Sequence, residues 1–517
     1  MKKYVFAVFA VILIAIFAAP MQVQARSGRY MGFFGGISEG RRLPGTTETI
    51  IQAQGATRPN RNNATVLEYR ELVFLGGRPE LFEGTLEIRS GAPAPDSTSG
   101  TFVIEHRVRP RAGAGGVSIT RDMFFTVTYR RPPNSNQILY TYEVTTWRDT
   151  INVPGAGTFT LDRNRSNFVV SVIEDQTPGV NYYRGNISAR IFYSGGTNGE
   201  TMVEKHGTFT GFNSAWSATE THIMNVSVVN DNWVVDYQIR PSVTVNKVLQ
   251  FVRNTPTVIS FEGNFMELHQ SFAGLRYDIF IAPQFMWDEP RSGSESLTTF
   301  NVFEQLFAPD LAFLRGHPAE DDIHRLFAME VLTGDPRHFD PSQAITRGQF
   351  MTALARALKL PVQEVVLPRA TRGNQPEPVL LFSDVSTDRP EFRYIQAIVN
   401  SGVAQGRQGG SFDFDEAISR QEAIVTIVRA LGLLDMWPSP TVVLPFADSD
   451  RVGNWAMRGI GVAWSLGIIQ PDVNGNLHPT RAVSNAEAAS LLNHMIDYLR
   501  EGIVRDYADQ LVNIVHQ

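Results

Sequence analysis

Cysteine is absent from all 517 residues of the sequence. The protein therefore has no disulfide bonds, no thiolate nucleophile and no thiolate metal ligand. Secreted eukaryotic domains often carry disulfides, so the absence favours a bacterial protein. A strong excess of charge is also missing, because 46 basic residues oppose 52 acidic ones for a formal net charge of −6. This balance argues against general nucleic-acid binding.

Long apolar runs are equally scarce, and the strongest one lies at the N-terminus. A basic start at residues 1–3 precedes an apolar run over residues 4–17, and small residues then lead to Ala25. This order is typical of a secretory signal peptide, which we expect to occupy residues 1–25. No later segment has the length of a membrane-spanning helix, so no transmembrane span is expected in the mature chain.

The sequence also lacks the residue patterns of common active sites. The ten histidines are scattered without metal-ligand spacing, and there is no nucleophile elbow, P-loop or dinucleotide fingerprint. Asp288 and Glu289 resemble a glycosidase loop, but paired acids before a proline are common at domain junctions. Residues 472–476 begin like a calcium loop, but the sequence lacks glycine at the sixth position of such a loop and glutamate at the twelfth. We therefore expect no catalytic residues, no metal and no cofactor.

Residues 26–303 have the character of a β-rich domain. Segments such as 101–108, 123–129 and 187–193 are rich in Val, Ile, Thr, Phe and Tyr and alternate in polarity. Gly, Pro, Asn and Ser separate them, which predicts antiparallel meanders with short turns. We expect an all-β domain, built as an antiparallel sandwich or a rolled sheet.

The last third of the chain contains one motif three times, which is the strongest sign of a repeated architecture. Each copy has an apolar residue, then a hydroxyl residue, and Gln or Glu three positions after the hydroxyl. That spacing predicts a helix N-terminus with a capping box. The three copies are Ile345-Thr346-Arg347-Gly348-Gln349, Ile418-Ser419-Arg420-Gln421-Glu422 and Val483-Ser484-Asn485-Ala486-Glu487.

The arginines of the motif are not explained by capping. A cation near a helix N-terminus is mildly unfavourable because of the helix dipole. Arg347 and Arg420 therefore need another role, and a loose surface ion pair is the simplest alternative. The third copy keeps the cap but has Asn485 in place of the arginine. This is expected if every repeat must fold but not every repeat must bind a ligand.

Over roughly residues 305–499 the chain resembles the S-layer homology (SLH) family. In that family three units pack as an all-α pseudo-threefold trimer, and grooves between units bind an anionic secondary cell-wall polysaccharide that is often pyruvylated. The resemblance implies that Arg347 and Arg420 are the ligand cations. A guanidinium suits a carboxylate because two N–H bonds can be made in one plane.

Three other residues occupy positions that matter in the family. Trp455 stands where SLH repeats often have a tryptophan, whereas the other two repeats have prolines there. Asp384 and Asp448 belong to aromatic-x-Asp turns, although turn formation alone also explains them. The ligand-binding residues implied by the resemblance are thus Arg347, Arg420, Trp455, Asp384 and Asp448.

A basic segment in the β-rich region is a further candidate for contact with an anionic partner. A solvated strand face is the simpler interpretation, since side chains two residues apart share one face. Contact with wall polymer or with other surface-layer proteins is the functional alternative. The segment comprises His106, Arg107, Arg109, Arg111, Arg130 and Arg131.

The expected protein is a secreted bacterial cell-surface or S-layer protein, held non-covalently to the wall polysaccharide and displaying a structural or adhesive β domain. We expect it not to be an enzyme. The alternative is an SLH-anchored polysaccharide-active enzyme, which needs two facing carboxylates in the β domain. The expected boundaries are 1–25 for the signal peptide, 26–303 for the β domain, 305–360, 381–435 and 445–499 for the repeats, 361–380 and 436–445 for linkers, and 500–517 for a helical tail.

Overall fold

The computed structural model describes residues 35–38, 64–91, 93, 97–113, 115–133, 135–197, 199–252, 264–298, 302–362, 382–407, 409–434 and 443–506. The expected signal peptide, most of both expected linkers and residues 507–517 of the expected tail lie outside these ranges. The described part of that tail, residues 500–506, is helical. None of the described helices is long and apolar enough to cross a bilayer.

Fifteen strands of the described residues form one antiparallel sheet. Apolar side chains alternate with polar ones along each strand, so that one face is buried and the other meets solvent. The last strand extends to Phe307, whereas the sequence predicts the end of the β domain at residue 303. The strands are β1 Ile37–Ser38, β2 Thr65–Val73, β3 Glu80–Ser90, β4 Ser99–Pro110, β5 Ser118–Arg130, β6 Gln137–Val153, β7 Gly157–Leu161, β8 Asn167–Gln176, β9 Val180–Gly195, β10 Thr201–Ser214, β11 Ser217–Asn230, β12 Trp233–Val252, β13 Asn264–Ile281, β14 Ser292–Thr298 and β15 Val302–Phe307.

Most strands pair with their neighbours in sequence, which is the meander that the turn spacing predicts. Strands β7 and β8 both lie between β6 and β9, and β14 and β15 both pair with β13. The sheet is rolled, because its first and last strands meet. Arg70 of β2 donates to the carbonyl of Ser296 in β14 at 2.7 Å, and the rings of Phe74 and Tyr237 stack 3.8 Å apart. Of the two expected β architectures, the structure has the rolled sheet.

In the part of the chain that the structure describes, six α-helices follow the sheet, two in each repeat. Each repeat has a first helix of nine residues, a glycine-containing loop and a longer second helix, as the motif predicts. A π-helical turn, Tyr498–Gly502, continues the last helix. The helices are α1 Glu320–Ala328, α2 Arg347–Ala357, α3 Phe392–Asn400, α4 Arg420–Ala430, α5 Met457–Ser465 and α6 Asn485–Asp497.

The three second helices begin around a closed ring of backbone hydrogen bonds. The amide of Ile345 donates to the carbonyl of Val483 (2.9 Å), Val483 donates to Ile418 (3.0 Å), and Ile418 donates to Ile345 (3.2 Å). All three residues are buried and immediately precede the hydroxyl of the motif. The ring relates the repeats by a pseudo-threefold axis, so the predicted trimeric arrangement is confirmed.

Two of the three expected capping boxes are present, at Thr346 and Ser484. The third is wrong, because Ser419 makes no side-chain cap hydrogen bond. Its expected partner Glu422 turns its carboxylate toward two arginines, Arg347 and Arg407. The N3 residue of one repeat is therefore used by the repeat before it, and the cap is given up.

Candidate functional site

The motifs meet the neighbouring repeat, which creates three junctions of equivalent backbone geometry. In each, the amide of the residue after the hydroxyl donates to a loop carbonyl of the next repeat. We call the contact between repeats 1 and 2 the first junction, that between repeats 2 and 3 the second, and that between repeats 3 and 1 the third. The bonds are Arg347 to Glu416 (2.7 Å), Arg420 to Arg481 (2.9 Å) and Asn485 to Gln343 (2.8 Å).

At the first junction Arg347 is buried and already paired. Its side chain is 6% exposed, contacts the carboxylate of Glu422, and donates to the carbonyl of Gln405 at 2.7 Å. The guanidinium also lies 4.8 Å from the ring centre of Phe412. Burial, reinforced by the charge of nearby Arg407, lowers the pKa of Arg347 to about 10. These contacts agree with an ion pair at Arg347, although an enclosed one, and the expected role of Arg347 as a ligand cation stays a prediction.

The charges of the first junction balance one another. Arg407 lies 3.0 Å from Glu422 and 3.3 Å from Asp413, so two arginines (with Arg347) face two carboxylates. The glycine that follows Arg347 also has a structural reason. A Cβ at Gly348 would lie 2.3 Å from the ring of Phe414, which fills the space beside the helix.

At the second junction two arginines share one carboxylate. The Nη1 of Arg420 lies 3.2 Å from Oε1 of Glu487, and Arg481 contacts the same oxygen. Burial lowers the pKa of Arg420, yet its side chain is 15% exposed and that of Arg481 is 49% exposed. A further carboxylate nearby, Asp472, accepts hydrogen bonds from Asn474, Asn476 and His478. The second junction thus differs from the first in exposure, because its motif arginine is partly open to solvent.

Trp455 lies at this second junction. The amide of Gly453 donates to the side chain of Gln421 at 3.0 Å, and a Cβ at Gly453 would lie 2.7 Å from the indole nitrogen of Trp455. The indole therefore stands beside the residue that follows Arg420, and it is 57% exposed. Trp455 belongs to the third repeat in sequence, but the geometry places it with the arginine of the second.

The third junction has no charged pair of this kind. The side-chain amide of Asn485 donates to the carbonyl of Asp340 at 2.8 Å. The threefold relation that places Glu422 opposite Arg347 and Glu487 opposite Arg420 places Gln349 opposite Asn485. The arginine and the glutamate are thus replaced together, which keeps this junction neutral.

The two aspartates of the aromatic-x-Asp turns accept hydrogen bonds from the backbone of the junction loops. Asp384 accepts the amides of Phe412 (2.7 Å) and Phe414 (3.0 Å). Asp448 does the same for Leu477 and His478, both at 2.8 Å. Burial acts to raise the pKa of each aspartate, but these amide bonds outweigh it and lower the pKa. These bonds agree with the turn-forming role of both residues, and their expected contact with a ligand stays a prediction.

The basic segment of the sheet is largely neutralised by cross-strand partners. Arg107 lies 3.1 Å from Glu105, Arg109 pairs with Asp122, and Arg111 lies 3.3 Å from Glu68. Arg131 lies over the ring of Tyr129, and His106 points into the core. These contacts match the simpler interpretation of the segment, an outer strand face.

Acidic residues that could serve in catalysis already form ion pairs with arginines. Glu289 lies 3.2 Å from Arg78 at the rim of the sheet. Within the sheet, Arg121 bridges Glu71 (2.7 Å) and Asp149 (2.8 Å), both buried, beside a cavity of only about 30 Å³. That volume holds about one water molecule.

One cluster has the spacing of metal ligands. In the described residues, ligand atoms of Glu267, His269 and Glu304 lie within 4.8 Å of one another. The ammonium of Lys247 stands 3.0 Å from Glu267, however. A lysine in that position supplies the positive charge that a cation would bring.

Comparison with known proteins identifies the repeats. The S-layer homology domain model matches residues 314–351, 381–424 and 445–489. These ranges contain the first helix of each repeat, the first residues of each second helix, and all three junctions. The chain therefore contains three S-layer homology domains and is a cell-surface protein.

Several known proteins are similar to part of the chain, and each alignment covers only about a third of it. The chain spans less than a fifth of the length of each. They are an endoglucanase of Bacillus sp. (strain KSM-635), 25% identical over 176 residues (34% of this chain, 17% of the relative); the surface-layer 125 kDa protein of Lysinibacillus sphaericus, 25% over 183 residues (35% and 14%); and the S-layer protein EA1 of Bacillus anthracis, 27% over 178 residues (34% and 19%).

Proposed function

We propose that this S-layer homology protein is held non-covalently on the cell wall through an anionic secondary polysaccharide, which binds at the second junction between its repeats. Arg420 and Arg481 supply the charge, and Trp455 supplies an exposed flat apolar surface. The rolled sheet is the displayed domain, with a structural or adhesive role.

The observation that carries this proposal is the exposed indole of Trp455 beside a partly exposed motif arginine. Two arginines share one glutamate at each of the first two junctions, but the side chain of Arg347 is 6% exposed and that of Arg420 is 15% exposed. An anionic ligand gains most where a positive charge is exposed. The second junction is the one of the three that combines this charge with an exposed aromatic ring.

A polymer carboxylate, such as a pyruvate ketal, suits this arrangement. A carboxylate accepts two parallel N–H bonds from one guanidinium, and a sugar ring presents C–H groups that pack on an aromatic face. Arg481 is half exposed, so it can turn from Glu487 to a ligand without uncovering a buried surface. Other surface-layer proteins remain a second class of partner for the sheet.

The competing proposal is a polysaccharide-active enzyme, and relatives named as an endoglucanase, an amylopullulanase and an exoglucanase favour it. Such an enzyme needs two carboxylates across an open cleft. Glu71 and Asp149 are instead bridged by Arg121 and enclosed. This supports a non-enzymatic displayed domain.

The test uses the full mature chain and purified wall sacculi. The chain should sediment with untreated sacculi and should remain in solution after the secondary polymer has been removed chemically. Equal binding to stripped peptidoglycan would contradict the polymer as ligand. Release of new reducing ends from wall polysaccharide or glucans would contradict the non-enzymatic role.

A further inference from the structure

The second helices of all three repeats end against the rolled sheet. The indole nitrogen of Trp216 donates to the carbonyl of Ala357 at the end of α2 (2.8 Å). The amide of Gly179 donates to Ala430 at the end of α4 (2.8 Å). The hydroxyl of Ser217 donates to Leu499, just after α6. One sheet thus contributes a donor to the C-terminal end of each of three helices.

At α2 and α4 these donors satisfy carbonyls that a helix leaves open, whereas Leu499 lies where α6 continues into the π-helical turn. The last four carbonyls of an α-helix have no partner within the helix. Here the partners come from two turns of the sheet, the turn between β8 and β9 and the turn between β10 and β11. The pseudo-threefold ring at Ile345, Ile418 and Val483 closes the opposite, N-terminal end of the same helices.

Trp216 enters the core of the repeats. It is fully buried and belongs to the apolar cluster that contains the second helices, together with Val180, Phe212 and Ala215 of the sheet. Burying an aromatic side chain of this size contributes on the order of 2–3 kcal/mol by area alone. The core of the repeats is therefore completed by side chains of another domain.

Charged side chains surround this contact. The ammonium groups of Lys247 and Lys359 lie 5.5 and 5.2 Å from the indole of Trp216, one from the sheet and one from the first repeat. Both lie near Glu267, at 3.0 and 4.0 Å. Arg500 donates to the carbonyl of Lys247 at 2.7 Å, which adds a second contact with the third repeat.

We propose that residues 214–217 act as a clasp that joins the sheet and the three repeats into one cooperative unit. The clasp holds the helix ends of repeats 1 and 3 directly, and residues 177–180 hold that of repeat 2. The sheet is then fixed rigidly at the end of the repeats opposite the motif ring. A displayed domain joined by its single covalent connection, from β15 to α1, would instead turn freely.

Hydrogen exchange on the full chain tests the clasp through the last turns of α2, α4 and α6. In Trp216→Ala these three segments should all exchange at least tenfold faster, although they are far apart in sequence. Trp287→Ala is the matched control, because this indole is 63% exposed at the other end of the sheet. The control should leave the three segments unchanged.

Faster exchange confined to the end of α2, or no change, would overturn the proposal, since a local contact would affect only the helix that Trp216 touches. Trp216→Phe keeps most of the apolar volume and removes the indole donor. It provides the same readout if the alanine variant does not fold, with a smaller but still shared acceleration of about threefold expected. Acceleration in α2 alone would again contradict the clasp.

Discussion

The first and second junctions are built from the same motif, yet they differ in what they leave exposed. Arg347 is enclosed, lies over an aromatic ring and faces balanced carboxylates. Arg420 shares one glutamate with a second, half-exposed arginine, and Trp455 stands beside it. An identical arginine in a repeat therefore serves packing in one place and is suited to ligand binding in the other.

The origin of the difference lies in the following repeat. Each motif arginine faces the next unit, so its surroundings are set by distant sequence. Glu422 lies 75 residues after Arg347, and Glu487 lies 67 residues after Arg420. Pro390 occupies the tryptophan position next to the first junction, whereas Trp455 serves the second. The presence of the motif alone therefore does not show that a junction binds a ligand.

The strongest test of the comparison exchanges each arginine for glutamine. Arg420→Gln should lower affinity for the wall polymer by about 30- to 150-fold, because a charge-assisted bidentate contact contributes about 2–3 kcal/mol. Arg347→Gln is the matched variant and should leave affinity nearly unchanged. It should instead lower the free energy of unfolding by less than the ~3–5 kcal/mol of a fully buried pair, since Arg407 still neutralises Glu422.

Sedimentation with wall sacculi and urea unfolding of the same two proteins measure both effects. Equal loss of binding in the two variants would mean that both junctions bind polymer. Unchanged binding in Arg420→Gln would remove the second junction as the site.

The aromatic wall of the second junction should contribute less than its arginine. Trp455→Ala should weaken polymer binding by about 3- to 10-fold, as expected for an exposed ring that contributes about 0.5–1.5 kcal/mol. Trp464→Ala is the control. Trp464 is also exposed, but it lies near the C-terminal end of α5, whereas Gly453 precedes the start of that helix. If both variants bind equally well, the indole of Trp455 does not contact the polymer.

The cap serines of the second and third repeats should differ in how much they contribute to stability. Ser484→Ala removes a capping box and should cost about 1 kcal/mol in unfolding free energy. Ser419→Ala should cost less than half of that, because Ser419 makes no cap hydrogen bond. Urea unfolding of the full chain compares the two. A larger cost at Ser419 would mean that Glu422 returns to its own helix cap in solution.

The smallest effect is expected at the neutral third junction. Asn485→Arg alone should destabilise slightly, because it loses the bond to the carbonyl of Asp340 and faces the uncharged Gln349. Adding Gln349→Glu should recover about 0.5 kcal/mol through a partly exposed ion pair. A double-mutant cycle by urea unfolding measures this coupling. A coupling of zero would show that the two positions do not face each other.

What the sequence predicts well is local or periodic. The capping boxes at Thr346 and Ser484 depend on residues three positions apart, and the strands on alternation of polarity, so both follow from short windows. The predicted strands are shorter than the observed ones, because β5 and β9 begin earlier, in polar segments that weaken the pattern. The threefold packing of the repeats is predicted from their resemblance to the SLH family.

What the sequence does not predict depends on partners that are distant in the chain. Glu422 has the spacing of a cap residue, but Arg347 of the previous repeat takes its carboxylate. The position of Trp455 in the sequence assigns it to the motif of its own repeat, whereas the packing of the third repeat on the second places it beside Gln421. Trp216 has no motif around it, and its place in the repeat core follows only from the assembled fold.

The central claim is that one of the three junctions, the second, binds the polymer. Titration calorimetry of the full chain with a single repeating unit of the purified wall polysaccharide tests it without multivalency. The account predicts one site per chain, which Arg420→Gln removes and Arg347→Gln retains. Two or three equivalent sites, or a single site that survives Arg420→Gln, would contradict it.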